Sequence, residues 1–173
     1  MALGKSWGPS TWYILHLISY NWESDMVNLY IRFIKLLGDT IPCQTCKEHF
    51  KRNISMNGNN IEYNCADKDR MINWIIRLHN MVNRSNKKRI YSREDVDKIY
   101  INNIYKKEKY ITFLREYVSY NLGLGGMRKA KTMNLIVVLG SIHPIIKKRK
   151  MFMRLFTKRL PYIKWLYKYK NIL

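Results

Sequence analysis

Apolar positions in this chain recur at three- and four-residue intervals, the spacing that gathers side chains on one face of an α-helix. Trp12, Leu15, Leu17 and Ile18 predict a helix over Ser10–Tyr20, with Ser10 or Thr11 as its N-cap. Val27, Tyr30, Ile31, Ile34 and Leu37 form a second stripe, opened by Ser24-Asp25 and ended by Gly38. Proline suits a first helical turn, so a third helix is expected from Pro42 to about Ile54. Asn57-Gly58-Asn59-Asn60 breaks the pattern. Asp67 or Asp69 then opens a long fourth helix with Met71, Trp74, Ile75, Leu78 and Val82 inward, and Asn86-Lys87-Lys88 ends it. Ser92-Arg93-Glu94-Asp95 has the form of another helix start, leading into a broken helical region that reaches Tyr120. No stretch alternates as a strand would. The expectation is all-α: a four-helix bundle with a short fifth helix, followed by a basic C-terminal extension.

Charge distinguishes the bundle from the extension. The net charge is +20, with 32 Lys and Arg against 12 Asp and Glu. Thirteen of those cations and none of the acids lie from Met127 to Leu173. Gly123-Leu124-Gly125-Gly126 marks the join, so a domain over residues 1–122 and an extension over 123–173 are expected. Met133–Ile146 is apolar but interrupted by Gly140, Ser141, His143 and Pro144, and it falls short of the roughly twenty residues a membrane span needs. The extension reads as a solvated basic segment or as a peripheral anchor on an anionic membrane, with Phe152, Phe156, Trp165 and Tyr167 at the interface. Phosphate contact with nucleic acid would use the same cations, but no nucleic-acid-binding fold supports it.

At 47% hydrophobic residues the chain can bury a core, and nothing in it suggests a disulfide-dense secreted scaffold. No signal peptide is visible, so folding in a reducing, cytoplasmic compartment is expected, where a CxxC is catalytic or metal-binding. The frequent Ile, Asn, Lys and Tyr look like coding bias of an AT-rich genome.

Two of the three cysteines, Cys43 and Cys46, sit three residues apart after Pro42. A first helical turn stabilises a thiolate, which is the nucleophile of disulfide exchange. Zinc is the rival reading, with Cys43, Cys46, His49 and Cys65 as a tetrahedral set. That reading makes the chain a zinc-stabilised binding module whose basic tail contacts nucleic acid or membrane. Trp12 and His16 share one helical face, and His79 and Asn83 another, with Asn80 beside them. These faces offer planar groups to stack a flavin or adenine and amides for its polar edges.

These motifs resemble the FAD-linked sulfhydryl oxidases of the Erv/ALR family, including its short viral members. The likeness runs over about residues 4 to 105 and rests on Trp7-Gly8-Pro9-Ser10-Thr11-Trp12, Leu15-His16, Pro42-Cys43-Gln44-Thr45-Cys46 and Leu78-His79-Asn80-Met81-Val82-Asn83, with Lys88 and Val96-Asp97 beyond. The resemblance implies a helical bundle, usually a homodimer, in which Cys43 is attacked by a substrate thiolate and Cys46 lies next to the flavin. Cys46 would form a charge-transfer complex with the flavin and pass it the electron pair, and oxygen would reoxidise it, giving hydrogen peroxide. It also implies that Gly8, Thr11, Trp12, His16, His79, Asn80, Val82, Asn83 and Lys88 line the FAD site. Lys88 and Lys87 would meet the phosphates, Tyr100 would lie against the adenine, and Tyr20 is a further candidate.

The sequence departs from the family in two places. No second, shuttle CxxC is present, so a separate CxxC or thioredoxin-like carrier is expected to deliver electrons from thiol-containing proteins. Arg93 stands where a structural cysteine would be, and Cys65 has no evident partner.

Overall fold

The computed structural model describes residues 7–101, 105–156, 158 and 162–172, and every regular element among them is helical. Helices α1 (Trp7–Tyr20), α2 (Val27–Thr40), α3 (Gln44–Ile54) and α5 (Lys68–Ser85) are the four long helices expected, with the short α4 (Ile61–Cys65) before α5 and α6 (Arg93–Tyr100) after it. The fold class is therefore the all-α bundle that the periodicity implies. The likeness at residues 4–6 and 102–104 falls outside the described residues.

Local chemistry explains most boundaries. Asp67 caps α5 by accepting from Arg70 N, and Asn60 caps α4 by accepting from Tyr63 N. Ser92 and Asp95 form a reciprocal capping box at the start of α6. Three boundaries differ from expectation. The first helix begins at Trp7, so Ser10 and Thr11 are inside it, and their hydroxyls donate back to Trp7 O at 2.9 and 2.8 Å rather than capping. Gly38 does not end α2, which continues to Thr40. The third helix starts at Gln44, with Cys43 as its cap, because Pro42 lies just outside the first turn.

Gly38 has a packing reason. A Cβ there would stand 3.0 Å from Phe50 Cε1, so the missing side chain lets α3 approach α2 closely. The end of α2 is then tied by Tyr117, whose hydroxyl donates to Leu37 O at 3.0 Å and meets Thr40 Oγ1 at 2.9 Å.

Beyond α6 the chain forms α7 (Lys107–Phe113), which passes through one π-helical turn (Leu114–Val118) into α8 (Ser119–Gly123). Three more helices follow: α9 (Gly126–Ser141), α10 (Ile146–Phe156) and α11 (Tyr162–Ile172). The extension is not a solvated appendage over this length. Helix α9 packs along α2, and Leu135, Ile136 and Leu139 join the same buried cluster as Ile14, Phe33, Ile34, Trp74 and Ile75. Each such fully buried side chain contributes roughly 1.5–3 kcal/mol. The apolar run Met133–Ile146 is thus mostly this helix, covered by α2, α8 and α10. No helix among the described residues is long and apolar enough to cross a membrane.

Polar clasps fix the extension. Arg149 of α10 is side-chain buried and grips Glu23, at the α1–α2 turn, with two hydrogen bonds of 2.6 and 2.7 Å, while its Nε donates to His143 O. Lys131 of α9 pairs with Asp39 at 2.6 Å. Phe152 and Trp165, expected at a membrane interface, are buried instead; Phe152 stacks on Tyr169 at 4.3 Å. Tyr167 is exposed, and the side chain of Phe156 lies outside those described.

Candidate functional site

Cys43 occupies the N-cap of α3 in an extended conformation, and its sulfur accepts from Cys46 N at 3.2 Å. Cys43 and Cys46 are joined as a disulfide with Cα atoms 5.2 Å apart, and both are half-buried. Sulfur at this position faces the positive end of the helix dipole and the N–H groups of the first turn, so a thiolate released here is stabilised. Helix α3 packs on α2 and α5, which brings the disulfide-bearing element against the carrier of His79.

Five planar groups converge between α1, α5 and α6. Trp12 stacks on His79 with centroids 4.2 Å apart and planes 6° from parallel. His16 stacks on Tyr100 at 5.0 Å, and Tyr100 on Tyr20 at 5.5 Å. His16 Nε2 and His79 Nδ1 share a hydrogen bond of 3.0 Å. Burial, reinforced at His16 by His79 and at His79 by Lys88, pushes their pKa values down to about 3 and about 4. Both rings are therefore neutral near pH 7. One proton lies between them, so the two outer nitrogens, His16 Nδ1 and His79 Nε2, must have opposite roles: one donates and the other accepts. His16 Nδ1 is buried without a partner.

His16, His79 and Tyr100 line a cavity of about 330 Å³, together with Ile76, Asn80, Asn83, Lys88, Arg89, Tyr91, Val96 and Ile99. A second cavity of about 360 Å³ lies on the other side of Tyr100, against Tyr20, Arg93 and the Pro144-Ile145 turn of the extension. Six expected site residues, His16, His79, Asn80, Asn83, Lys88 and Tyr100, thus share one cavity. Trp12 supports it through the His79 stack. Tyr20 lines the second cavity, and its hydroxyl donates to Asp97. Both hydrogen-bonding ends of Asn80 are engaged by the backbone of Tyr91, at 2.8 and 3.1 Å, so Asn80 shapes the wall by holding the α5–α6 turn. Gly8, Thr11, Val82, Cys43 and Cys46 are not among the lining residues. Lys87 is exposed at φ +54, in the turn that presents Lys88.

Sequence reading missed Ile76, Arg89, Tyr91 and Ile99, and quoted Val96 only within the Val96-Asp97 pair of the family resemblance. The run Lys87-Lys88-Arg89 was the available signal for Arg89, whereas the others are ordinary apolar positions. The zinc set is not assembled. Cys43 and Cys46 are bonded to each other, His49 is exposed, and Cys65 is fully buried at the end of α4 with its thiol pushed up to about 12 by burial. No cluster of three His, Cys, Asp or Glu among the described residues could hold a metal.

Fold and site together define a helical bundle that presents a dithiol–disulfide pair and a ring-lined cavity. Residues 9–101, just over half of the chain, match the model of the Erv1/Alr family. The chain belongs to that family, which is made up of FAD-linked sulfhydryl oxidases. No curated protein and no solved structure matches it. The matched segment runs from α1 to the end of α6 and contains every site residue named above except Gly8.

The residues present fit FAD. His16, which lines the cavity, carries a buried imidazole nitrogen without a partner, stacked rings suit planar heterocycles, and Lys88 and Arg89 supply cations for a pyrophosphate.

Proposed function

We propose that this protein is an FAD-dependent thiol oxidase that forms disulfides in other proteins. The observation that carries the reading is the Cys43–Cys46 disulfide at the N-terminus of α3, inside the segment that matches the family.

In this reading a substrate thiolate attacks Cys43 Sγ. The Cys43–Cys46 bond breaks, and Cys46 leaves as a thiolate held by the first turn of α3. A second substrate thiolate resolves the mixed disulfide, leaving Cys43 and Cys46 reduced by two electrons. FAD, when bound, supplies a two-electron acceptor that oxygen can reoxidise, with hydrogen peroxide as product. Trp12, His16, His79 and Tyr100 offer the planes for its rings, the two outer imidazole nitrogens one donor and one acceptor for its polar edges, and Lys87, Lys88 and Arg89 the charge for its phosphates. Gly8, Thr11 and Val82 keep their places in this reading through the family resemblance alone. The reading includes a separate CxxC or thioredoxin-like carrier as the thiol donor. The homodimer and the cytoplasmic setting belong to the same proposal.

The test is thiol-dependent oxygen uptake by the purified full chain. Dithiothreitol should drive uptake with peroxide formed, and Cys43→Ser and Cys46→Ser should each lose at least about 100-fold in turnover while retaining flavin. Undiminished turnover in either variant would overturn the assigned roles.

A further inference from the structure

The surroundings of the disulfide are unevenly charged, and half of that charge comes from outside the segment that matches the family. Lys47 follows Cys46, and its backbone N–H donates to Cys43 O at 2.9 Å. Lys51 lies one turn further along α3. From the opposite side, Arg128 in the first turn of α9 donates from Nη2 to Ile41 O at 2.5 Å, immediately before Pro42. Lys131, one turn on, reaches Asp39 at 2.6 Å, and Lys51 binds the same carboxylate at 2.8 Å. One acidic group is thus shared by two cations. That carboxylate belongs to α2; the acid of α3, Glu48, is exposed and accepts from Gln44 Nε2 at 2.7 Å. Lys47 senses the other three cations: its ammonium is held below its ordinary pKa first by partial burial, then by Lys51 and Arg128, with Asp39 opposing and Lys131 adding to the effect.

We propose that the face of α2, α3 and α9 around Cys43 is a docking surface for a dithiol protein whose reactive cysteines are flanked by Asp or Glu, and that the extension beyond Gly126 supplies half of its positive charge. The proposal rests on Cys43–Cys46 being the disulfide that substrate attacks. The patch adjoins the disulfide, with Lys47 next to Cys46 and Arg128 on the carbonyl before Pro42, which favours a thiol partner over a lipid surface or a nucleic acid. In the exchange the partner's thiolate bonds to Cys43 Sγ and the electron pair of the broken bond goes to Cys46. The partner's second thiolate then attacks its own sulfur in the mixed disulfide and displaces Cys43. The partner loses two electrons, the Cys43/Cys46 pair gains them, and the partner's thiol protons pass to solvent. Positive charge around Cys43 acts at both stages, by drawing in an acidic partner and by lowering the energy of each thiolate.

Single-turnover reduction of the disulfide tests this on the full chain, read by alkylation of Cys43 and Cys46 and mass shift, which requires no flavin. Two reduced peptides of equal length are compared, each with one CxxC, flanked by glutamates in one and by lysines in the other, with dithiothreitol as reference. At low ionic strength the acidic peptide should react at least about tenfold faster, within the usual range of electrostatic steering. At about 1 M salt, where the Debye length is roughly 3 Å, the ratio should approach one. Lys51→Gln combined with Lys131→Gln should lower the acidic peptide's rate relative to dithiothreitol at least threefold. Equal rates with the two peptides, or a preference that neither salt nor the double variant changes, would overturn the docking surface. A disulfide that neither peptide nor dithiothreitol reduces would instead overturn the thiol-oxidase reading beneath it.

Discussion

Replacing Arg149 by Met asks whether the extension is integral to the folded body. The Arg149 side chain is only 9% exposed, binds both carboxylate oxygens of Glu23, and holds the His143 carbonyl. Removing one partner of a fully buried pair costs about 3–5 kcal/mol. Glu23 is 39% exposed, so the abandoned carboxylate can rehydrate and the value falls below that range, to about 1–2 kcal/mol. The His143 carbonyl, stripped of its donor in a buried site, adds about 1 kcal/mol. A net loss of about 2–3 kcal/mol is expected, which for a chain of this length lowers Tm by roughly 5–10 °C. The assay is thermal denaturation of the parent, Arg149→Met, Glu23→Gln and the double variant. The singles should be non-additive by about 1–2 kcal/mol. The pH dependence has a definite sign. Arg149 holds the Glu23 carboxyl below its ordinary pKa, so the stabilisation is complete above about pH 4.5 and fades as pH falls through the folded value. The gap between parent and variant should therefore close in acid. An Arg149→Met protein that melts within about 1 °C of the parent at pH 7 would refute this clasp and, with it, the docking of α10 on the bundle.

Arg93 bridges Asp97 at 2.7 Å, Asn73 at 2.9 Å and Asp69 at 3.1 Å, tying α6 to α5 where a structural cysteine was expected. Arg93→Ala should destabilise by about 1–2 kcal/mol in chemical denaturation, and no loss would show that the bridge is idle. Cys65, buried and with a raised thiol pKa, should resist iodoacetamide in the native protein and react fully only after unfolding; native labelling would contradict its placement. His16, His79 and His143 all have depressed pKa values, so the unfolded chain binds more protons as pH falls below about 6.5. Tm should decline between pH 6.5 and 4, with a shallower slope in His79→Gln; an equal slope would remove His79 from the account.

The long helix α5 is legible in the sequence because its signals are local. Asp67 caps it, and Met71, Trp74, Ile75 and Leu78 fall on one face, so no distant contact is needed to recognise it. Gly38 misleads because a helical glycine and a helix-ending glycine look alike until Phe50 is seen against it. Ser10 and Thr11 could cap or bond backward. Trp7, packed edge-on against Tyr117 at 5.7 Å, begins the helix earlier and leaves them the second role. The extension is the larger loss. Helix α9 is covered by several helices, so its apolar residues show no single stripe, and only the α2 surface explains them. At the site, the motifs locate the imidazoles, amides and cations. They do not show that Asn80 is used on Tyr91, or that Tyr100 stands between one cavity and another, because both depend on how the α5–α6 turn folds back.

The visible absorption spectrum of the purified full chain tests the central claim most directly. A yellow protein is expected, whose flavin band bleaches on anaerobic addition of dithiothreitol and returns on admission of oxygen, with peroxide formed. A colourless protein, or a bound flavin that thiols leave oxidised although Cys43 and Cys46 are intact, would contradict it.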